Sequence, residues 1–157
     1  MARKYRDEQV AYHEAGHAVA SFVLGIPVRS AAITDGHPDH AGQVENYPRP
    51  AFSRDVVAES RFWWSGVWKK SVPKLMVLYA GQVAEEMYTG RRNRAGASSD
   101  DEQISDLASW VAGDGREMVA LARWVKLRTR NLLSDPNHWL MVRRVAAALL
   151  DERRMGG

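Results

Sequence analysis

The sequence predicts an α+β fold dominated by α, a helical domain with one small β-hairpin beside its first helix. Three observations carry that expectation. Apolar residues recur at helical spacing along most of the chain, and glycines and prolines punctuate those stretches at their ends. Two short segments, VRSAAIT at 28–34 and AGQVENY at 41–47, read as strands, and the DGHPDH between them has the composition of a turn.

The first helix is expected from about residue 7 to about 24, since acidic Asp7 and Glu8 suit a positive helix start while Gly25 and Pro27 follow its end. After Pro48 and Pro50, the aromatic-rich segment 52–70 reads as a second helix. Its FWWSGVW, Phe62 to Trp68, suits core packing, a subunit contact or a lip for substrate. Pro73 then stands where a first helical residue should, opening VPKLMVLYAGQVAEEMYTG. There Leu75, Leu78, Tyr79, Val83 and Met87 share one stripe, and Gly90 lies just beyond the end. Ser99 and Glu102 form an S-x-x-E capping box that opens a helix to about residue 112, and Gly113 and Gly115 break it. Helices near 116–134 and 136–153 close the chain, the latter with Pro136 in its first turn.

Bulk properties narrow the function. The 157 residues make one domain, residues 1–157, with 45% hydrophobic and 26% charged residues, the balance of a soluble globular protein. The longest apolar run, AVASFVLGI at 18–26, is about half of the roughly 20 residues that span a bilayer. The N-terminus MARKYRDEQ turns charged where a secretory signal would turn apolar, so a cytoplasmic protein without a membrane segment is expected. Zero cysteines exclude disulfides, thiolate catalysis and Cys-based zinc sites, which leaves histidine and carboxylate to hold any metal. The net charge of +3 is spread over separate clusters rather than one stripe, so no nucleic-acid partner is expected.

The informative stretch is YHEAGHAVASF at 12–22. On a helix, His13 and His17 lie one turn apart on one face and can point nitrogens at a common atom. Glu14 is rotated by about 100°, away from direct ligation and toward a water at the metal, as in H-E-x-x-H zinc hydrolases. Zinc held by three protein ligands lowers the pKa of such a water to roughly 7, and a carboxylate can then move its proton. Small residues Ala11, Ala15, Gly16 and Ala18 surround the pair, and Gly16 costs the helix about 1 kcal/mol relative to alanine. A glycine there implies that another backbone packs close by.

Two histidines need a third ligand. No third histidine follows at metzincin spacing, because His17 continues as AVASFV. His37 and His40 belong to the hairpin turn, and His138 to a surface or half-buried helix start. The carboxylates Glu85 and Glu86, after the small pair Ala80–Gly81, and Asp100, in the first turn of its helix, are comparable choices on residue chemistry alone.

AYHEAGHAV at 11–19, LYAGQVAEEMYTG at 78–90 and GASSDDEQISDLA at 96–108 resemble, in order and approximate spacing, three motif blocks of the FtsH-type zinc metalloprotease peptidase domain. The tail NLLSDPNHWLMVRRVAAALLDER is similar to that domain's last two helices, so the resemblance runs from about residue 8 to 153. It implies Zn2+ held by His13, His17 and Asp100, Glu14 as catalytic base, and Glu85 near the ligands as a residue that orients them. AGQVENY resembles the family's edge strand beside the zinc, to which an extended peptide can add by main-chain pairing. Family members usually carry this domain behind a membrane anchor and an AAA-type ATPase module, and form rings. This sequence holds neither a P-loop motif nor a transmembrane run.

The expectation is therefore a stand-alone, HExxH-type zinc metalloendopeptidase that hydrolyses unfolded or extended polypeptides. A separate AAA-type ATPase and further copies of the chain are the partners the resemblance allows. The alternative is a catalytically idle peptidase-like domain kept as a binding module.

Overall fold

The computed structural model describes residues 2–33, 42–46, 63–91 and 98–156. Its elements follow in the order α1 (Ala2–Val23), β1 (Val28–Ile33), β2 (Gly42–Asn46), α2 (Trp63–Thr89), α3 (Ser98–Val111), α4 (Gly115–Leu133), α5 (Pro136–Glu152) and β3 (Arg154–Gly156). The class is the expected one, mainly helical α+β. Among the described residues no helix is long and apolar enough to cross a membrane.

The hairpin strands pair antiparallel, with Ala31 opposite Val44 and Ile33 opposite Gly42. Their turn, with His37 and His40, lies outside the described residues. The sheet is larger than expected. A third strand pairs with the other side of β1, giving the order β2-β1-β3. Arg153 causes this by ending α5 in a left-handed conformation, φ 62°, which turns the chain back onto β1. Its carbonyl accepts from the Ile33 amide at 3.0 Å. Three residues without alternation, RMG, carry no strand signal of their own.

Two helix boundaries also differ from the sequence reading. Helix α1 begins at Ala2 rather than near residue 7, because the acids read as its start are used in tertiary contacts. Asp7 pairs with Arg153 at 3.1 Å, and Glu8 accepts from the Tyr88 hydroxyl at 2.7 Å. Its far end is as read: Gly25 takes φ 67° and the Ile26 amide bonds back to the Ser21 carbonyl at 2.8 Å.

Pro73 does not open a helix. It sits inside α2, which starts ten residues earlier at Trp63. An interior proline removes one helical hydrogen bond and costs about 3 kcal/mol or more. Here the carbonyl that loses its donor belongs to Lys69, on an exposed stretch open to water. Packing on both sides of the proline offsets the cost, since Trp68 and Val72 join Leu75 and Met76 in one apolar cluster with α3 and α4. Residues 52–62, read as the start of a separate helix, lie outside the described set. So do the side chains of 62–67, which leaves Trp68 as the described part of that aromatic cluster.

The later helices begin as expected, with caps the sequence reading did not single out. Asp114 accepts from the amides of Arg116 and Glu117, each at 2.8 Å, and Asp135 accepts from Asn137 at 2.9 Å just ahead of the turn that Pro136 opens. The capping role read for Ser99 rests on a side chain outside the described set.

The main core lies where α1, α2, α5, β1 and the end of α4 meet, around Ala15, Val19, Ala80, Val83, Leu133 and Leu149. Helices α1 and α2 touch through small residues. A Cβ on Gly16 would lie 2.7 Å from the Cβ of Ala84 and clash with the Ala80 carbonyl. The close backbone implied by that glycine is α2.

Gly16→Ala should therefore destabilise the protein by about 1–3 kcal/mol through overpacking, although alanine is the better helix former. Gly115→Ala, where an added Cβ meets nothing within 4 Å, is the control and should cost nothing. Urea unfolding of the two variants checks this, and equal midpoints would contradict the tight α1–α2 contact.

Candidate metal centre

His13 and His17 share one face of α1, as i and i+4 positions must, and that face is pressed against α2. Gly81 of α2 lies directly beneath them. A Cβ there would come 2.6 Å from the His13 Nε2 and closer still to that of His17. Only a glycine leaves room for both rings.

The rings are held from behind. The His17 Nδ1 donates to the Val77 carbonyl at 2.7 Å. A carbonyl can only accept, so the neutral ring carries its hydrogen on Nδ1 and presents a bare Nε2. The His13 Nδ1 faces the Glu85 carboxylate at 3.5 Å. Both partners come from α2.

The front of the site is a triangle. The two Nε2 atoms are 3.0 Å apart, and the Asp100 Oδ2 lies 3.1 Å from that of His13 and 3.2 Å from that of His17. Three acceptor atoms do not converge in a largely buried place without a cation or a proton between them. Tetrahedral zinc with bonds of about 2.0–2.2 Å places its donors about 3.3 Å apart, close to the three edges seen here. The donor set also fits, since imidazole and carboxylate are both common zinc ligands. No other group of three His, Cys, Asp or Glu residues among those described is arranged to hold a metal ion.

The sequence had left Asp100 and the glutamate pair open on chemistry alone. The structure brings Asp100 to the Nε2 side of the histidines and puts Glu85, only 7% exposed, on the Nδ1 side of His13. Glu86 turns the other way and pairs with Lys126 at 2.7 Å and Arg130 at 2.9 Å on α4. His138 is half-buried on α5, its Nδ1 bonded to the Leu132 carbonyl at 2.7 Å, and takes no part.

Glu14 is buried beside the triangle, against the start of β2. A Cβ on Gly42 would come 2.5 Å from its Oε1. Gly42 and the Val77 carbonyl were not read from the sequence, nor was the place of Gly81 beneath both rings. The small pair Ala80–Gly81 was the one available signal.

The electrostatics follow from this crowding. Burial is the largest influence on His13 and lowers its pKa, but hydrogen bonds to Asp100 and Glu85 and the charges of Glu14 and Asp100 outweigh it. Its pKa is raised from 6.5 to about 10. Burial likewise works against the charged form of Asp100, yet bonds from both histidines hold that carboxyl well below its usual range. Glu14 is pushed up by burial, against the pull of His17 and His13. Without a metal, a proton on His13 fills the triangle.

No family model matches the chain. The ATP-dependent zinc metalloprotease FtsH 2 of Sorangium cellulosum (strain So ce56) is 35% identical over 101 residues, which is 63% of this chain. The matched part spans about 15% of that protein's length. The likeness is that of a distant FtsH-like relationship.

His13 is raised above its unfolded 6.5, so its contribution is complete below pH 6.5 and is lost as pH rises through about 10. Asp100 is lowered, so its contribution is complete above 3.8 and is lost as pH falls below that. Thermal unfolding in chelator should therefore show the highest Tm between these limits and a fall from pH 6.5 toward 10. His13→Gln should flatten the alkaline fall. A wild-type Tm that holds steady or climbs from pH 6.5 to 10 would contradict the assignment.

Proposed function

We propose that this chain is a zinc-dependent metalloendopeptidase of the HExxH type, acting on extended or unfolded polypeptides. His13, His17 and Asp100 would hold the metal and Glu14 would serve as base. The observation that carries the reading is the convergence of three acceptor atoms, with both histidines held from behind so that each offers its Nε2. Such outer partners orient metal ligands and raise their basicity. The distant likeness to a zinc metalloprotease supports it.

Zinc, when bound, is a Lewis acid that makes water a nucleophile near neutral pH and polarises a carbonyl. The chain's own residues do the rest. Glu14 accepts a proton from the attacking water and returns it to the leaving amine, which needs a carboxyl that is neither strongly acidic nor free to turn away. Burial supplies the first condition, and the wall formed by Gly42 the second. Asp100 and Glu85 keep His13 oriented from opposite sides of its ring.

Substrate would approach along β2. Among the described residues this strand pairs with β1 on one side and with no strand on the other. An extended peptide can add there through main-chain hydrogen bonds, with little demand on its sequence. The single domain, residues 1–157, would be the peptidase unit, with further copies and a separate ATPase as candidate partners.

Elemental analysis should find about one zinc per chain, lost in His13→Ala, His17→Ala and Asp100→Ala and largely kept in Glu14→Gln. On an unfolded protein such as casein, Glu14→Gln should lower turnover by at least about a hundredfold. Unchanged turnover in a chelator-sensitive assay would remove Glu14 from the mechanism. A zinc-loaded wild type inactive on every unfolded protein would favour the binding-module alternative.

Pairing along an edge strand also requires an opened substrate. Global opening of a stable domain costs about 5–15 kcal/mol, so the isolated protein should spare it and cut a destabilised mutant of the same domain. A gel time course comparing the two forms decides this, and equal cleavage would argue against an extended-chain peptidase.

A further inference from the structure

Helix α2 carries four consecutive features of the centre: the Val77 carbonyl, Gly81, Gln82 and Glu85. Three of them touch a histidine. Gln82 does not. It is buried, only 9% exposed, and its Nε2 donates to the Asp101 Oδ1 at 2.8 Å. Asp101 is exposed, in the first turn of α3, and is the chain neighbour of Asp100.

An exposed aspartate at a helix start needs no buried partner, because water and the helix dipole already satisfy it. A buried amide spent on it calls for another reason. Among the described residues α3 also packs on α2 through Ile104, Ala108 and Val111, apolar side chains all downstream of Asp100. Apolar packing is not directional, so it holds a helix on a surface without fixing its first turn to a fraction of an ångström. A hydrogen bond is directional and does so. The triangle requires that accuracy, because two of its edges, 3.1 and 3.2 Å, meet at the Asp100 Oδ2 in that turn.

We infer that Gln82 is a positioning residue for Asp100: by holding Asp101 it fixes the first turn of α3, and with it the carboxylate that completes the triangle with His13 and His17. Its hydrogen bond goes to Asp101 rather than to a histidine or to Asp100, and it acts through the backbone that Asp101 shares with its neighbour. The inference rests on the reading of His13, His17 and Asp100 as a metal centre, and its test separates the two.

The test titrates metal-free protein with Co2+, whose visible absorption reports its coordination, and follows the His13 ring nitrogens by 15N NMR with no metal present. Gln82→Met keeps the volume and removes the donor. It should weaken cobalt binding by about 10–100-fold, the scale found when the support of a ligand is lost. Asp101→Ala should do the same at an exposed position where folding is not at risk, and the double variant should be no worse than either single one. Gln82→Glu should bind poorly because two carboxylates then face each other. Adding Asp101→Asn restores a bond of opposite direction and should recover most of the affinity.

Cobalt binding by Gln82→Met equal to wild type, or no recovery in the reversed pair, overturns the inference. If the wild type itself binds no cobalt, the metal-centre reading fails, and the NMR signal still decides the positioning. A His13–Asp100 hydrogen-bond signal unchanged by Gln82→Met overturns it, and one lost or shifted supports it.

Discussion

The close approach of α1 to α2 is the constraint on which the rest depends. Two helices can come together this tightly only where both faces are nearly bare, and here Gly16, Ala80, Gly81 and Ala84 provide that. The approach sets the depth of the two histidines, because their rings lie on the floor left by Gly81. It puts the Val77 carbonyl and the Glu85 carboxylate behind those rings, which decides the nitrogen each one presents. Side chains of any size at these positions would leave the histidine pair on a helix but without its supports.

Charge is then distributed by which side of α2 a residue faces. The neighbours Glu85 and Glu86 have nearly the same sequence environment and opposite uses. Glu85 turns inward and favours a charged imidazole, while Glu86 turns outward and ties α2 to α4 through Lys126 and Arg130. With Asp100 and Glu14 added, the pocket gathers three carboxyl groups around two rings. Such a concentration of negative charge in a buried place is tolerable when a positive charge sits at its centre.

Much of this was legible in the sequence, for identifiable reasons. The histidine pair follows from helical geometry, and the tightness around it from the cost of Gly16. Both strands of the hairpin were readable because a turn of strong composition separates them. What escaped the reading depends on distant parts of the chain. Asp7 and Glu8 look like a helix start, and only Arg153 and Tyr88, far along the sequence, show why they are not. Pro73 looks like another start, and only the apolar cluster spanning it keeps the helix continuous. β3 has no pattern of its own and exists because Arg153 turns the chain. The choice between Asp100 and Glu85 could not be made from residue chemistry, since both are carboxylates near helices and differ only in which ring nitrogen they meet.

His13 and Asp100 are 87 residues apart in the chain, yet their side chains meet at 3.1 Å. An ion shared between them would act as a cross-link as well as a reagent. In a chain with no cysteine it would be a rivet across most of the domain's length. By the chain-entropy argument used for disulfides, a loop of that size closed by a permanent link removes about 4–5 kcal/mol of freedom from the unfolded state. The same three side chains would then govern both how readily the fold comes apart and whether it can do chemistry. On the proposed reading, a cell that withheld the metal would obtain a looser molecule as well as a silent one.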